Sequence, residues 1–424
     1  MTLEQAFAYI RQHTDADDFT FEAGVSDVLE TRFAQNAITQ HMNGVQSEYT
    51  LEVAYGNRTG IASVNQLNEE SVDWLLQTAQ DIARMNQPDP EYMPSESAQE
   101  LPASADYDEA TASYPMEKMV DGILACVHNA EGLDAKVSGL STRATRSSST
   151  FTAHGFEGHN RETEFTHSMT MKKGDVETKV SLGVKRVADF DMAALIARLN
   201  GQFASLKDLS PSHAGRQTVI LRPQAVANLF AMLGWYMNRR DADEGTSPYS
   251  DQLGKQLFGP AFSMLSTRDD PELVAPAYTW LQRPAASVEW VRDGVLRNLP
   301  TDRYWASQKG IEPVNRFNLL IPGGTATEEE MMRQAGSGLI VNNMWYIRSV
   351  DQKRGEFTGM TRDGVMRFEN GKIVGAVHNL RWNEIPHELT RRILALGPAQ
   401  LIDAGNKVPT MLVEDFNFVD TTTF

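Results

Sequence analysis

The stretch Tyr49-Thr50-Leu51-Glu52-Val53-Ala54-Tyr55-Gly56-Asn57-Arg58-Thr59-Gly60-Ile61-Ala62-Ser63-Val64 decides how the chain is read. Tyr49, Leu51, Val53 and Tyr55 fall at every second position, the spacing that lines one face of a pleated strand. Gly56-Asn57 interrupts the run as a turn, so the segment reads as antiparallel strands. Upstream, Phe19, Phe21, Val25 and Val28 extend the strand region back to Phe19, with a second turn expected at Asn43-Gly44. Leu3, Phe7 and Ile10 place a helix over residues 3–14. Downstream, Asn68 with Glu69 and Glu70 behind it caps a helix to about Met85, whose apolar stripe is Val72, Leu75, Leu76, Ala79, Ile82 and Ala83.

Pro88, Pro90, Pro94, Pro102 and Pro115 sit among serine, alanine and acidic residues, so 87–115 reads as a linker. The earlier order then recurs: a helix from Met116 to about Ala130, strands from Ala135 to Val187, and a helix from Asp191 to about Leu206. The expected fold class is therefore α+β. Two helix/antiparallel-strand/helix units, 1–86 and 116–210, stand in the order a duplication would leave. A sheet-rich C-terminal domain, barrel- or sandwich-like with a few helices, is expected over 211–424. Within it, Thr218–Leu221 reads as a strand and Pro223–Met237 as a helix, with hairpin turns at Asp293-Gly294 and Asn370-Gly371. Further helices are expected from Thr327 to Gln334, where Thr327 and Glu330 make a capping box, and from Pro386 to Leu396.

With 424 residues the chain is long enough for two or three domains, and 41% hydrophobic with 22% charged is an ordinary globular composition. A net charge of −17 repels phosphate backbones, and the only local basic runs are the pairs Arg239-Arg240 and Arg391-Arg392, so nucleic acid is not an expected partner. Met1–Thr14 lacks the basic start and apolar run of a signal peptide, and no stretch approaches the roughly 18 apolar residues of a membrane span. A cytoplasmic location is expected, with no membrane partner. One cysteine, Cys126, excludes an internal disulfide.

Few residue sets carry chemistry. Cys126 and His128 stand two apart on a helix and so face opposite ways, which leaves Cys126 a structural role. His154, His159 and His167 with Glu157, Glu162 and Glu164 form the densest metal-like cluster, but the segment alternates as a polar strand pair, so no metal and no cofactor is expected. Asn318–Thr325 resembles a strand entering a phosphate loop but lacks the lysine, and Asp241, Asp243 and Glu244 start a calcium-like loop that Gly245 breaks. The remaining set suits a ligand surface: Trp345, Tyr346, Arg348 and Asp351, then Arg362, Asp363, Arg381 and Trp382. Rings supply contact area and guanidinium groups pair with carboxylates, so this set is expected to bind peptide or partner, with Tyr304 and Trp305 lining the same cavity.

Several stretches together resemble the TldD/PmbA family, once described as modulators of DNA gyrase and now viewed as peptidases. They are Gly56-Asn57-Arg58-Thr59-Gly60-Ile61-Ala62-Ser63 before Asp81-Ile82-Ala83-Arg84, Gly245 through Gly254, Asp293-Gly294-Val295-Leu296, Gly338-Leu339-Ile340-Val341, Glu356-Phe357-Thr358-Gly359 and Glu369 through Val374. In order they run from about Gly24 to Phe418. The zinc-binding members of that family carry H-E-x-x-x-H just upstream of the Gly-Thr-Ser stretch and use a later cysteine. Here the corresponding stretch is Phe230-Ala231-Met232-Leu233-Gly234-Trp235. The resemblance is thus to the PmbA (TldE) branch, and it implies a metal-free subunit, with no catalytic or metal-binding residue of its own, that holds peptide substrate beside a zinc-bearing TldD-like chain. The competing expectation is a stand-alone homo-oligomer that binds peptides or a partner without proteolysis. A self-sufficient hydrolase is the weakest reading, since no residue set supports it.

Overall fold

The computed structural model describes residues 1–422. Helix α1 (Leu3–His13) starts at Thr2, whose hydroxyl accepts from the Gln5 amide while the Gln5 side chain returns to the Thr2 amide. Strands β1 (Asp18–Ala34), β2 (Ala37–Tyr55) and β3 (Arg58–Val64) follow, then α2 (Glu69–Met85) capped by Asn68. The turn expected at Asn43-Gly44 is not made. Those residues lie inside β2, opposite Leu29 and Val28, and pairing runs unbroken from Asp18↔Ala54 to Arg32↔Gln40. The chain reverses instead at Gln35-Asn36, with φ of 53° and 67°. A continuous ladder outweighs the local preference of one Asn-Gly pair.

The second round supplies α3 (Met116–Gly132), β4 (Lys136–Thr152), β5 (Glu157–Lys173), β6 (Val176–Val184) and α4 (Met192–Ser205). All six strands form one sheet in the order β3-β2-β1-β4-β5-β6. Its centre is the antiparallel pair β1 and β4, in register from Thr20↔Thr152 to Phe33↔Gly139. Each half buries one helix-covered core. Val72, Leu75 and Ala79 meet Phe21, Leu51 and Val53 in the first, and Ile123, Cys126 and Leu195 meet Val137, Met169 and Val180 in the second. Residues 87–115 contain only the short helix Glu109–Ala112 but are tied to the rest of the fold at several points. Asp18 accepts from the Tyr92 and Ser95 hydroxyls at 2.6 Å each, and Glu96 pairs with Arg303 at 2.8 Å.

The C-terminal region is built from β7 (Gly215–Leu221), α5 (Pro223–Ala231), α6 (Arg303–Lys309), α7 (Glu328–Ala335), β8 (Ser337–Asp351), β9 (Glu356–Glu369), β10 (Lys372–Val377), β11 (Leu380–Glu384), β12 (Ile393–Asp403) and β13 (Asn406–Thr421). Pairing runs β13-β11-β9-β8-β7, and β7 pairs back onto β13, so a small barrel closes. Val226, Leu229 and Phe230 of α5 pack with Val341, Met411 and Val413 in the core. The Asp293-Gly294 and Asn370-Gly371 turns have the positive φ of their dipeptides, 50° and 79° in the first, 50° and 76° in the second. Two expected helices stop early. The one from Pro223 ends at Ala231 and tightens into a 3₁₀ turn over Met232–Trp235, where Gly234 weakens helical geometry. The one from Pro386 ends at Leu389, and after a 3₁₀ turn Ile393 onward joins β12, because Ile393 and Ala395 pair with Val413 and Leu412 of the barrel.

Candidate functional site

Strand β8 is irregular where it matters. Its register against β9 shifts between Val341 and Asn343 and again between Trp345 and Arg348. Tyr346 and Asp363 take left-handed backbone angles, φ 53° and 62°, and Gly364 follows at 99°. The bulge turns consecutive rings outward, so Trp345 and Tyr346 are both exposed, at 44% and 54%. It also sets the Arg362 guanidinium 4.2 Å from the centre of the Trp345 ring.

Asp363 is buried and held from three sides. Its carbonyl accepts from Asn342 Nδ2 at 2.8 Å and Thr178 Oγ1 at 2.9 Å, and its carboxylate accepts from Asn343 Nδ2 at 2.6 Å. Burial raises its pKa, against the Asn343 bond and the nearby Lys179 and Arg362 charges. Because Thr178 belongs to β6, this residue ties the barrel to the N-terminal sheet. The ends of β4, β5 and β6 bring Lys136, Thr170, Lys172, Glu177 and Lys179 to the same place. Two adjoining cavities of about 750 and 480 Å³ share Lys172, Glu177, Trp345, Arg362 and Asp363. Lys136 lies directly across the ladder from Lys172, which on its other side faces Glu177 of β6 and pairs with it at 4.0 Å. The cleft thus offers an aromatic face, a guanidinium and ammonium groups set among the Glu177 and Asp363 carboxylates, suited to an extended peptide.

Of the sequence-based site residues, Trp345, Arg362 and Asp363 meet in this cleft. Tyr346 and Arg348 stack on one another just beyond it, 4.3 Å from guanidinium to ring. Asp351 accepts from the Arg354 amide and shapes a turn, while exposed Arg381 donates to Thr358. Trp382 does not belong to the surface: it is 0% exposed, packed over Gly359, where a Cβ would lie 2.5 Å from its ring. Tyr304 and Trp305 line neither cavity. Trp305 Nε1 donates to Asp243 at 2.9 Å, and its ring lies between Arg240 and Lys309. The lysines and Asn343 escaped the sequence reading, because only strand register brings Lys136, Lys172 and Lys179 together. The alternation of β4 and β5, which leaves Lys136 and Lys172 facing outward, was the available signal.

The other clusters resolve into structural roles. His154 pairs with Asp18 at 3.3 Å, His159 with Glu157 at 3.1 Å, and His167 is buried against Ser141 Oγ at 2.6 Å and Cys126 Sγ at 3.6 Å. Burial pushes the Cys126 thiol up to about 12 and His167 down to about 4, so this pair is not a poised nucleophile and base. Asn318 is spent on the Thr267 backbone, accepting at 2.9 Å and donating at 2.7 Å. Asp243 and Glu244 are paired with Arg239 and Arg240. Among the described residues no three His, Cys, Asp or Glu side chains converge to hold a metal ion. Phe230–Trp235 presents apolar and ring groups only, so the donor set does not fit a resident zinc. Among the described residues no helix is long and apolar enough to cross a membrane.

Residues 214–420 match the PmbA/TldA metallopeptidase C-terminal domain. Metalloprotease PmbA of Escherichia coli O157:H7 is 24% identical over 377 residues, spanning 82% of this chain and 80% of its own. TldE from Thermococcus kodakarensis superposes with a TM-score of 0.89 at 15% identity, over 98% of this chain and 99% of that one. A candidate modulator of a DNA gyrase from Thermotoga maritima does so at 0.89 and 15%, over 99% and 100%. At such identities the two structures speak for the fold, an α+β architecture with a sheet-rich C-terminal domain.

Proposed function

The chain belongs to the TldD/PmbA family, and from that premise we propose that it is a metal-free, PmbA/TldE-like subunit of a cytoplasmic metallopeptidase system. It shapes the chamber and holds peptide substrate beside a zinc-bearing TldD-like chain. The observation that carries this reading is the Trp345–Arg362 pair over a cleft flanked by Lys136, Lys172 and Lys179, on a scaffold with no convergent metal donors among the described residues. Such a cleft retains peptide without supplying the means to activate water. Mixing the purified chain with a TldD-like partner and following an unfolded peptide by mass spectrometry tests it. Cleavage is expected only in the mixture, and elemental analysis of the isolated chain should find no stoichiometric zinc. Chelator-insensitive cleavage by the chain alone overturns the reading. A stand-alone homo-oligomeric binder is the second reading, favoured by the exposed run of Trp345, Tyr346 and Val350. It predicts peptide retention and self-association with no gain from a partner.

A further inference from the structure

The 3₁₀ turn Met232–Trp235 carries a second basic feature, away from the lysine cleft. A Cβ on Gly234 would lie 2.2 Å from Arg316 Nη2, 3.0 Å from its Cζ and 3.3 Å from Nη1. All three atoms at that range mean that the guanidinium lies against the bare glycine backbone, so a side chain at 234 would have to push it aside. Gly234 is exposed and Arg316 half-buried, so the group sits at the rim of the surface rather than within the core.

What Arg316 lacks is a partner. Arg222 meets Glu328 at 2.7 Å, Arg303 meets Glu96 at 2.8 Å and Arg392 meets Glu384 at 2.5 Å. Arg198 and Arg391 donate to the carbonyls of Ser181 and Leu257, each at 2.7 Å. Among the described residues the Arg316 guanidinium has neither a carboxylate nor a carbonyl. Burial lowers its pKa, with the Tyr249 side chain nearby. In a chain of net charge −17 carboxylates are abundant, yet this half-buried cation is left without one, which costs stability. Next in the chain after Gly234, Trp235 is 56% exposed and meets Phe357 edge-on.

We propose that Arg316, seated on Gly234 with the exposed Trp235 next in the chain, is a carboxylate-binding site for a peptide ligand. The planar fork takes a carboxylate bidentately, and the exposed indole takes the neighbouring apolar portion. The carboxylate is either the C-terminus of the peptide or an acidic side chain. This site does not depend on the lysine cleft.

The test uses three fluorophore-labelled tripeptides on the full chain: one with a free C-terminus, its C-terminal amide, and an amidated peptide carrying one aspartate. At least one of the two carboxylate peptides should bind about tenfold tighter than the neutral amide, which is about 1.4 kcal/mol. Which one gains identifies the source. Arg316→Gln should bring all three to the affinity of the neutral peptide. Gly234→Ala, which keeps the arginine but pushes its guanidinium off the seat, should weaken the carboxylate preference and serves if Arg316→Gln fails to fold. No carboxylate preference in the wild type, or a preference that survives these substitutions, overturns the proposal. Trp345→Ala, by contrast, lowers all three affinities together if the lysine cleft holds peptide.

Discussion

Lys185 Nζ lies 3.1 Å from Asp106 Oδ1, with both side chains only 4% exposed. The same ammonium donates to the Leu273 carbonyl at 2.7 Å, and Asp106 Oδ2 accepts from the Ala275 amide at 2.8 Å. One buried pair therefore pins the proline-rich segment, the end of β6 and a loop of the C-terminal region together. Asp106→Ala strands the ammonium, and a loss of about 3–5 kcal/mol is expected in urea unfolding. Replacing both partners by apolar residues should cost less than that single change. A single-mutant loss under about 1 kcal/mol would show the tie to be dispensable.

Gly60 and Gly44 separate packing from strand propensity. A Cβ at Gly60 would meet the Ala79 carbonyl at 2.1 Å and the Ala83 amide at 2.3 Å, so α2 seats directly on β3 there, whereas nothing lies within 4 Å of one at Gly44. Gly60→Ala should destabilise by about 2 kcal/mol or more, and Gly44→Ala should stay within about 0.5 kcal/mol of wild type. Equal melting temperatures for the two variants would refute the packing argument.

Trp345→Ala and Arg362→Ala each remove one half of the stacked pair in the cleft. Peptide capture should weaken by about tenfold, with little change in thermal melting because both groups stand at the surface. Unaltered affinity in both variants would move the peptide site elsewhere.

Acid should weaken the fold through two histidines. Burial lowers His167 to about 4, and burial with the Arg391 charge lowers His387 to about 4, from an ordinary 6.5. Between those values the unfolded chain binds protons that the folded chain refuses, so stability is fully present above 6.5 and falls as pH drops toward 4. Denaturant midpoints measured across that range should decline, and more shallowly in His167→Gln. A flat wild-type profile would contradict the assignment.

Cys126 is 1% exposed, with its thiol pushed up to about 12. Thiol reagents should label it only on unfolding. Rapid labelling at neutral pH under native conditions would mean that α3 opens readily.

Local chemistry made much of the fold legible. Asn68 and Thr327 announced their helices through side-chain oxygens that do cap them, and alternation at Tyr49–Tyr55 marked a strand. What failed depended on distant partners. Asn43-Gly44 stayed in a strand because β1 continued opposite it, and Ile393 left its expected helix because β13 lay beside it. The site followed the same rule. Trp345, Arg362 and Asp363 were visible as residue types, but the lysines facing them come from strands about 165 to 230 residues earlier in the chain. Trp382 shows the converse, since a ring between polar neighbours on an alternating strand carries no mark of which face is covered.

The closure of the barrel has a consequence for biosynthesis. β7, at Gly215–Leu221, pairs with Met411–Phe418 of the final strand, just as β1 must await β4. As the chain leaves the ribosome, each of these early strands carries a bare edge until its distant mate emerges, and for β7 that wait lasts through nearly half of synthesis. Slowed or prematurely terminated translation should therefore release sticky, strand-edged fragments, and the demand for a holding chaperone should peak between the emergence of β7 and that of β13.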